Sequence, residues 1–187
     1  MMYQEVSTRP ESLCEGTSGS GQSILVSAEF ENKTVDAIAS RILVGIGDCT
    51  QRVCMDRQVK LSKVTCLFIP SLAPHNASGL PGIILGLSSL GVGKVHIFGP
   101  RGLKALVDAS RPFCNRQYPE LVLREFATKA DELPKDAKVD EQGDWILFEN
   151  ADKFFDIRVK PLCVDSGSGD ENGEAASVVA LSGLISL

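Results

Sequence analysis

The sequence predicts an α/β domain, on three observations. Apolar runs of strand length at 64–69, 94–99 and 121–126 alternate with stretches of helical character, the pattern of strand–helix–strand units. At 187 residues, 43% apolar and 23% charged, the chain can bury the core of one domain. Further short apolar runs lie on either side of that central block and add strand content.

Taken in order, residues 1–22 are polar and rich in Gly and Ser, and read as a flexible leader. The domain is expected to begin at 23 and run to 187. "SILVSAEF" (23–30) and "IASRILVGIG" (38–47) are strands, with "ENKTVDA" as a loop between them. A helix follows inside "CTQRVCMDRQVKLSKV", with Val53, Met55, Val59 and Leu61 as an imperfect apolar stripe. "TCLFI" (65–69) is a short buried strand, and "GLPG" (79–82) leads into a helix over Leu80–Leu90. "KVHIFG" is a strand, and Pro100 is placed at the entry of the next helix. "LVLREF" is a strand, and residues 127–144 read as a charged surface connection. "WILFEN", "FFDIRVKPLCV" and "SVVALSGLISL" are later strands, and "DSGSGDENGEA" is a flexible acidic insert. Because the chain ends on an apolar strand pattern, the domain is expected to be truncated and to belong to something longer.

Composition excludes some classes of function. A net charge of −5 gives no overall field toward nucleic acid, although local basic patches remain. No run of apolar residues is long enough to span a membrane, and no secretory signal is visible. Cys14, Cys49, Cys54, Cys66, Cys114 and Cys163 form no CxxC pair and read as reduced thiols of an intracellular protein. Nucleus, cytoplasm and mitochondrion are not distinguished.

A binuclear zinc hydrolase needs several imidazoles and carboxylates, yet the chain has two histidines, His75 and His96, and no Asp or Glu between Pro70 and Ser89. His96, between Val95 and Ile97, reads as structural. "GLSSLG" (86–91) has its glycines one residue too far apart for a serine nucleophile elbow and reads as a helix end. "GVGKVH" has Val95 where a phosphate loop needs Ser or Thr. Two basic sets are candidates for phosphate contact: Arg52, Arg57, Lys60 and Lys63, and then Arg101, Lys104, Arg111 and Arg116. Solvated helix faces look the same.

One stretch is more specific. "GIGDCTQRV" resembles the GEGTQR segment of tRNase Z, the metallo-β-lactamase-superfamily endonuclease that trims the 3′ side of precursor tRNA. Gly47, Thr50, Gln51 and Arg52 stand as in that family, Asp48 takes its Glu position and Cys49 a Gly position. "GLPGIILGLSSLG" and "KVHIFGP" resemble the helix and strand that follow, and the resemblance covers residues 23–126. The catalytic pattern T-H-x-H-x-D-H is missing. Its histidine positions fall on Ser71, Ala73 and Asn76, and its Asp position falls on His75.

The resemblance therefore implies a half or degenerate metallo-β-lactamase-like αββα sandwich without a hydrolytic site of its own. It is similar to the N-terminal, non-catalytic half of the long form, whose other half carries zinc. No catalytic residue and no cofactor is expected in this chain, and the chain alone is expected to be inactive. The expected partners are a catalytic half or other protein subunits, and precursor tRNA or another RNA, with Arg52, Lys60, Arg101 and Lys104 as the RNA-contacting candidates. The alternative is a free-standing degenerate relative that serves as a structural or assembly subunit of an RNA–protein complex.

Overall fold

Val6–Glu15 (β1) and Gln22–Phe30 (β2) pair antiparallel, Val6 opposite Phe30 and Glu15 opposite Gln22. The expected leader over 1–22 is thus corrected: residues 6–15 form an edge strand of the sheet, ahead of residue 23. Its polar composition is that of an edge. Arg9, Pro10, Glu11 and Ser12 are exposed while Leu13 is buried, and an edge strand tolerates a proline that a central one would not. The computed structural model describes residues 6–15, 21–30, 38–113, 117–126, 137–139, 146–148, 156–164 and 176–184. The expected loop at 31–37, the acidic insert at 165–175, Cys114 and Arg116 lie outside them.

Ile38–Val44 (β3) pairs antiparallel with β2, and then the direction of pairing changes. Val64–Phe68 (β4), Lys94–Pro100 (β5) and Glu120–Phe126 (β6) continue the sheet in parallel. Parallel neighbours need crossovers. Thr50–Asp56 (α1) and a 3₁₀ turn at Leu61–Lys63 join β3 to β4. Pro74–Ala77 (α2) and Leu80–Ser89 (α3) join β4 to β5, and Leu103–Ser110 (α4) joins β5 to β6. The six strands lie in chain order. Right-handed crossovers in that order place every helix on one face.

That face is the larger core. Leu25, Leu43, Leu67 and Ile97 meet Cys54 of α1, Leu80, Ile83, Ile84 and Leu87 of α3, and Leu103 and Val107 of α4. Alternating positions point the other way. Ile42, Cys66, Phe68 and Phe98 are buried there too, with the Phe68 and Phe98 rings stacked 6.5 Å apart. A sheet with parallel strands buried on both faces explains the near-continuous apolar run of β4.

A second, antiparallel sheet is made by Ala137–Val139 (β7), Ile146–Phe148 (β8), Asp156–Val164 (β9) and Ala176–Leu184 (β10), in the order β10–β9–β8–β7. The expected charged connection over 127–144 therefore contains a short strand. Two local readings also change. α1 ends at Asp56, so Val59 and Leu61 lie beyond it; Cys54 is its buried apolar residue and Met55 is exposed. Pro100 ends β5 instead of opening α4, which starts after Gly102 at φ 97, a left-handed conformation that glycine adopts without strain.

Candidate functional site

The loops that follow β3, β4 and β5 gather at one edge of the sheet because those strands are parallel. Hydrogen bonds run on past the strand ends: Gly45 N–H donates to the Phe68 carbonyl at 2.9 Å and Ile69 N–H to the Phe98 carbonyl at 2.8 Å. The loop over 69–79 then folds back onto β3. Ile46 N–H donates to the Asn76 carbonyl at 2.8 Å, and Gly79 N–H to the Ile46 carbonyl at 2.9 Å.

This loop carries the four positions that the resemblance sets against a metal motif. Ser71, Ala73 and Asn76 are half-buried and His75 is exposed. The Asn76 side-chain amide donates to the Ser71 hydroxyl at 2.8 Å. The Ala73 carbonyl accepts from Asn76 N–H and Ala77 N–H as α2 begins, with Pro74 at its first turn. Zinc takes imidazole, thiolate or carboxylate donors. Ser71, Ala73 and Asn76 supply none, and among the described residues no group of three His, Cys, Asp or Glu side chains is placed to hold a metal ion. The donor set here does not fit zinc.

The matched motif just after β3 is mostly built into the fold. A Cβ on Gly47 would collide with the His75 carbonyl oxygen and with Gly21. Thr50 is buried; its hydroxyl donates to the Gly47 carbonyl at 2.8 Å and lies 3.0 Å from the Ser23 hydroxyl. Gln51 lies over α3, where its amide would meet a Cβ on Gly82 or Gly86. Asp48 is exposed and accepts from Cys49 N–H at 2.9 Å. Arg52 is 82% exposed and pairs with Asp56 at 3.8 Å, an exposed i,i+4 pair worth at most about 0.5 kcal/mol.

Of the basic candidates, Arg52 lies in the first turn of α1, Arg101 in the turn before α4 and Lys104 in its first turn; all are exposed. Those turns follow β3 and β5, so these side chains share the edge described above. Lys60 is exposed too but directly precedes the turn into β4, at the opposite edge, where its carbonyl accepts from Arg41. Glu125 was not singled out from the sequence. Its Oε1 accepts from Gly102 N–H at 3.1 Å and Lys104 N–H at 2.7 Å, satisfying the open amides at the start of α4.

Three further features needed the structure. A groove of about 460 Å³ lies between α1 and α3, lined by Gln51, Met55, Leu61, Gly82, Leu85, Gly86, Ser89 and Leu90. Met55 and Leu90 are 68% and 54% exposed at it. Burial pushes the Cys54 thiol up to about 11, with nearby Arg41 opposing. Arg124 donates to His96 Nδ1 at 2.8 Å and stacks over Phe98, so His96 is held in a structural contact. Cys14, Cys49, Cys54 and Cys66 form no disulfide. Among the described residues no helix is long and apolar enough to cross a membrane.

No protein-family model matches the chain. Individual proteins do. The mitochondrial tRNase Z TRZ4 of Arabidopsis thaliana is 40% identical over 78 residues, 41% of this chain and 8% of that protein. The mitochondrial tRNase Z TRZ3 of the same plant is 29% identical over 142 residues, 74% of this chain and 15% of that protein. In three dimensions, the human short-form tRNase Z superposes on 83% of this chain and 59% of its own, with a TM-score of 0.64 at 21% identity. The long-form RNase Z from yeast superposes on 87% of this chain and 18% of its own, with a TM-score of 0.60 at 19% identity. The metallo-β-lactamase fold protein YhfI from Bacillus subtilis covers 95% of this chain at a TM-score of 0.50.

This chain has a metallo-β-lactamase fold and is similar in sequence to tRNase Z proteins. The fold class and the resemblance read from "GIGDCTQRV" agree with these likenesses. The chain spans less than a fifth of the length of either plant tRNase Z.

Proposed function

We propose that this chain is the non-catalytic, N-terminal-type half of a tRNA 3′-processing endoribonuclease, which packs on a catalytic half and supports tRNA binding. The observation that carries the reading is the donor set of the loop over 69–79: a metallo-β-lactamase-type sheet edge has Ser71, Ala73, His75 and Asn76 where metal ligands would stand. Zinc and phosphodiester hydrolysis belong, on this reading, to the partner half. The tRNase Z relatives support RNA as the ligand. Arg52, Arg101 and Lys104 offer phosphate contacts on the shared edge and Lys60 offers one at the other. Met55 and Leu90 at the α1–α3 groove offer apolar surface for packing. Cysteines outside disulfides and mitochondrial relatives support an intracellular setting.

The test is co-expression with a separate, zinc-bearing tRNase Z half. The two are expected to co-purify, and this chain is expected to lower the KM for precursor tRNA. The double variant Met55→Glu, Leu90→Glu is expected to weaken the association. Failure to associate, or an unchanged KM in the complex, overturns the proposal.

A further inference from the structure

The loop after β4 has one metal donor, the exposed His75, and no group of donors placed to hold an ion, and is nonetheless tied down along its length. We propose that it is held closed on the end of β3 by a metal-free clasp, in which protein hydrogen bonds hold the segments that ligation at positions 71, 73, 75 and 76 would otherwise join. The comparison with ligation rests on the reading of this loop as a former metal site; the clasp itself rests on the contacts.

Both ends of the loop are fixed by backbone hydrogen bonds, Ile69 N–H to Phe98 and Gly79 N–H to Ile46. Its middle is fixed by Ile46 N–H to the Asn76 carbonyl. Ile46 thus uses its donor and its acceptor on two points of the same loop, and its side chain is fully buried. Two of the motif positions then brace each other, Asn76 Nδ2 donating to Ser71 Oγ across the start of α2. That brace uses a neutral amide and a hydroxyl, with no ionic charge to neutralise. The next residue, Ala77, is buried at 3% exposure and seats the turn in the core.

The clasp also fixes the backbone of His75. Its carbonyl oxygen sits in a notch between Gly21 and Gly47, where a Cβ on either glycine would collide with it. The carbonyl oxygen of Gly47 likewise leaves no room for a Cβ on Gly79. With the backbone facing that notch, the His75 side chain is left exposed. The arrangement has a consequence for reversion. Histidines placed at 71 and 76 would remove both halves of the brace, so restoring ligand types would loosen the loop that must present them.

The experiment is amide hydrogen exchange on the full chain, read at Ile46 and Gly79, with chelator, with added zinc and with neither. Exchange is expected to be the same in all three. Asn76→Ala and Ser71→Ala are each expected to speed it about tenfold, the effect of one lost hydrogen bond. The double variant is expected to match either single one, because both remove one interaction. Ser71→Thr keeps the hydroxyl and is expected to keep slow exchange. Unchanged exchange in both alanine variants, with no zinc effect, overturns the clasp and leaves the non-catalytic reading standing. Zinc that binds and slows exchange overturns both.

Discussion

Cys49 sits at φ 63, in the left-handed region, where a Cβ crowds the backbone. The resemblance puts a glycine at this position, and the structure gives the reason: the chain must turn sharply from Gly47 into α1. Cys49→Gly is expected to raise stability by about 0.5–1 kcal/mol, strain relief less the added backbone entropy. Urea unfolding measures it, and a loss of stability would count against the strain. Cys54 behaves differently because it is buried. Its thiol rises from 9.0 to about 11, burial being the larger cause and Arg41 opposing it. The unfolded chain releases this proton near 9.0 while the native state holds it to about 11. The contribution is therefore whole below pH 9 and is lost as pH rises to 11, about 3 kcal/mol in all. Cys54→Ala is expected to flatten the fall in stability across that window relative to the unmodified chain. An identical alkaline slope in both proteins would refute the assignment.

At the scale of elements, the start of α4 is a designed-looking junction of charge. The Glu125 carboxylate occupies the helix amides while Arg101 and Lys104 stand exposed beside it. If this edge meets RNA, Arg101→Ala with Lys104→Ala weakens binding and lowers the slope of log affinity against log salt by about 1.5. Lys60→Ala, at the opposite edge, is expected to cost less. Filter binding across a salt series tests this, and equal losses from both variants would mean that the edge does not define the contact. Most elements were legible because apolar period and turn residues mark them: β2–β6, α3 and β8–β10 stand close to their expected limits, while β7 was read as a connection. β1 was not legible. Its composition is that of a loop, and its strand geometry comes from pairing with β2, a partner that local sequence does not announce. α1 was legible as a helix within 49–64, but its end was not, because the apolar stripe ran on through Val59 and Leu61 after the helix had ended.

For the whole molecule, positions 71, 73, 75 and 76 offer one imidazole and no other zinc donor, which leads to two expected outcomes. The purified chain alone should not cleave precursor tRNA, and metal analysis should find no stoichiometric zinc. Cleavage that survives removal of contaminating nucleases, or near-stoichiometric zinc, would sink the non-catalytic reading. The candidate site was half legible in the sequence. Ser71, Ala73, His75 and Asn76 could be placed in register by counting back from Gly79, because spacing within one loop is a property of the chain. That Asn76 braces Ser71, and that His75 gives its carbonyl to a glycine notch, could not be read that way.

The sequence by itself determined the α/β class, the position of the loop after β4 and the chemistry that loop lacks. These follow from side-chain type and periodicity, which are local. Only the tertiary structure decided that residues 6–15 join the sheet, that Arg52, Arg101 and Lys104 share an edge without Lys60, and that Gly21 closes on Gly47. Those are contacts between segments distant in the chain, and they are set by strand order and backbone approach.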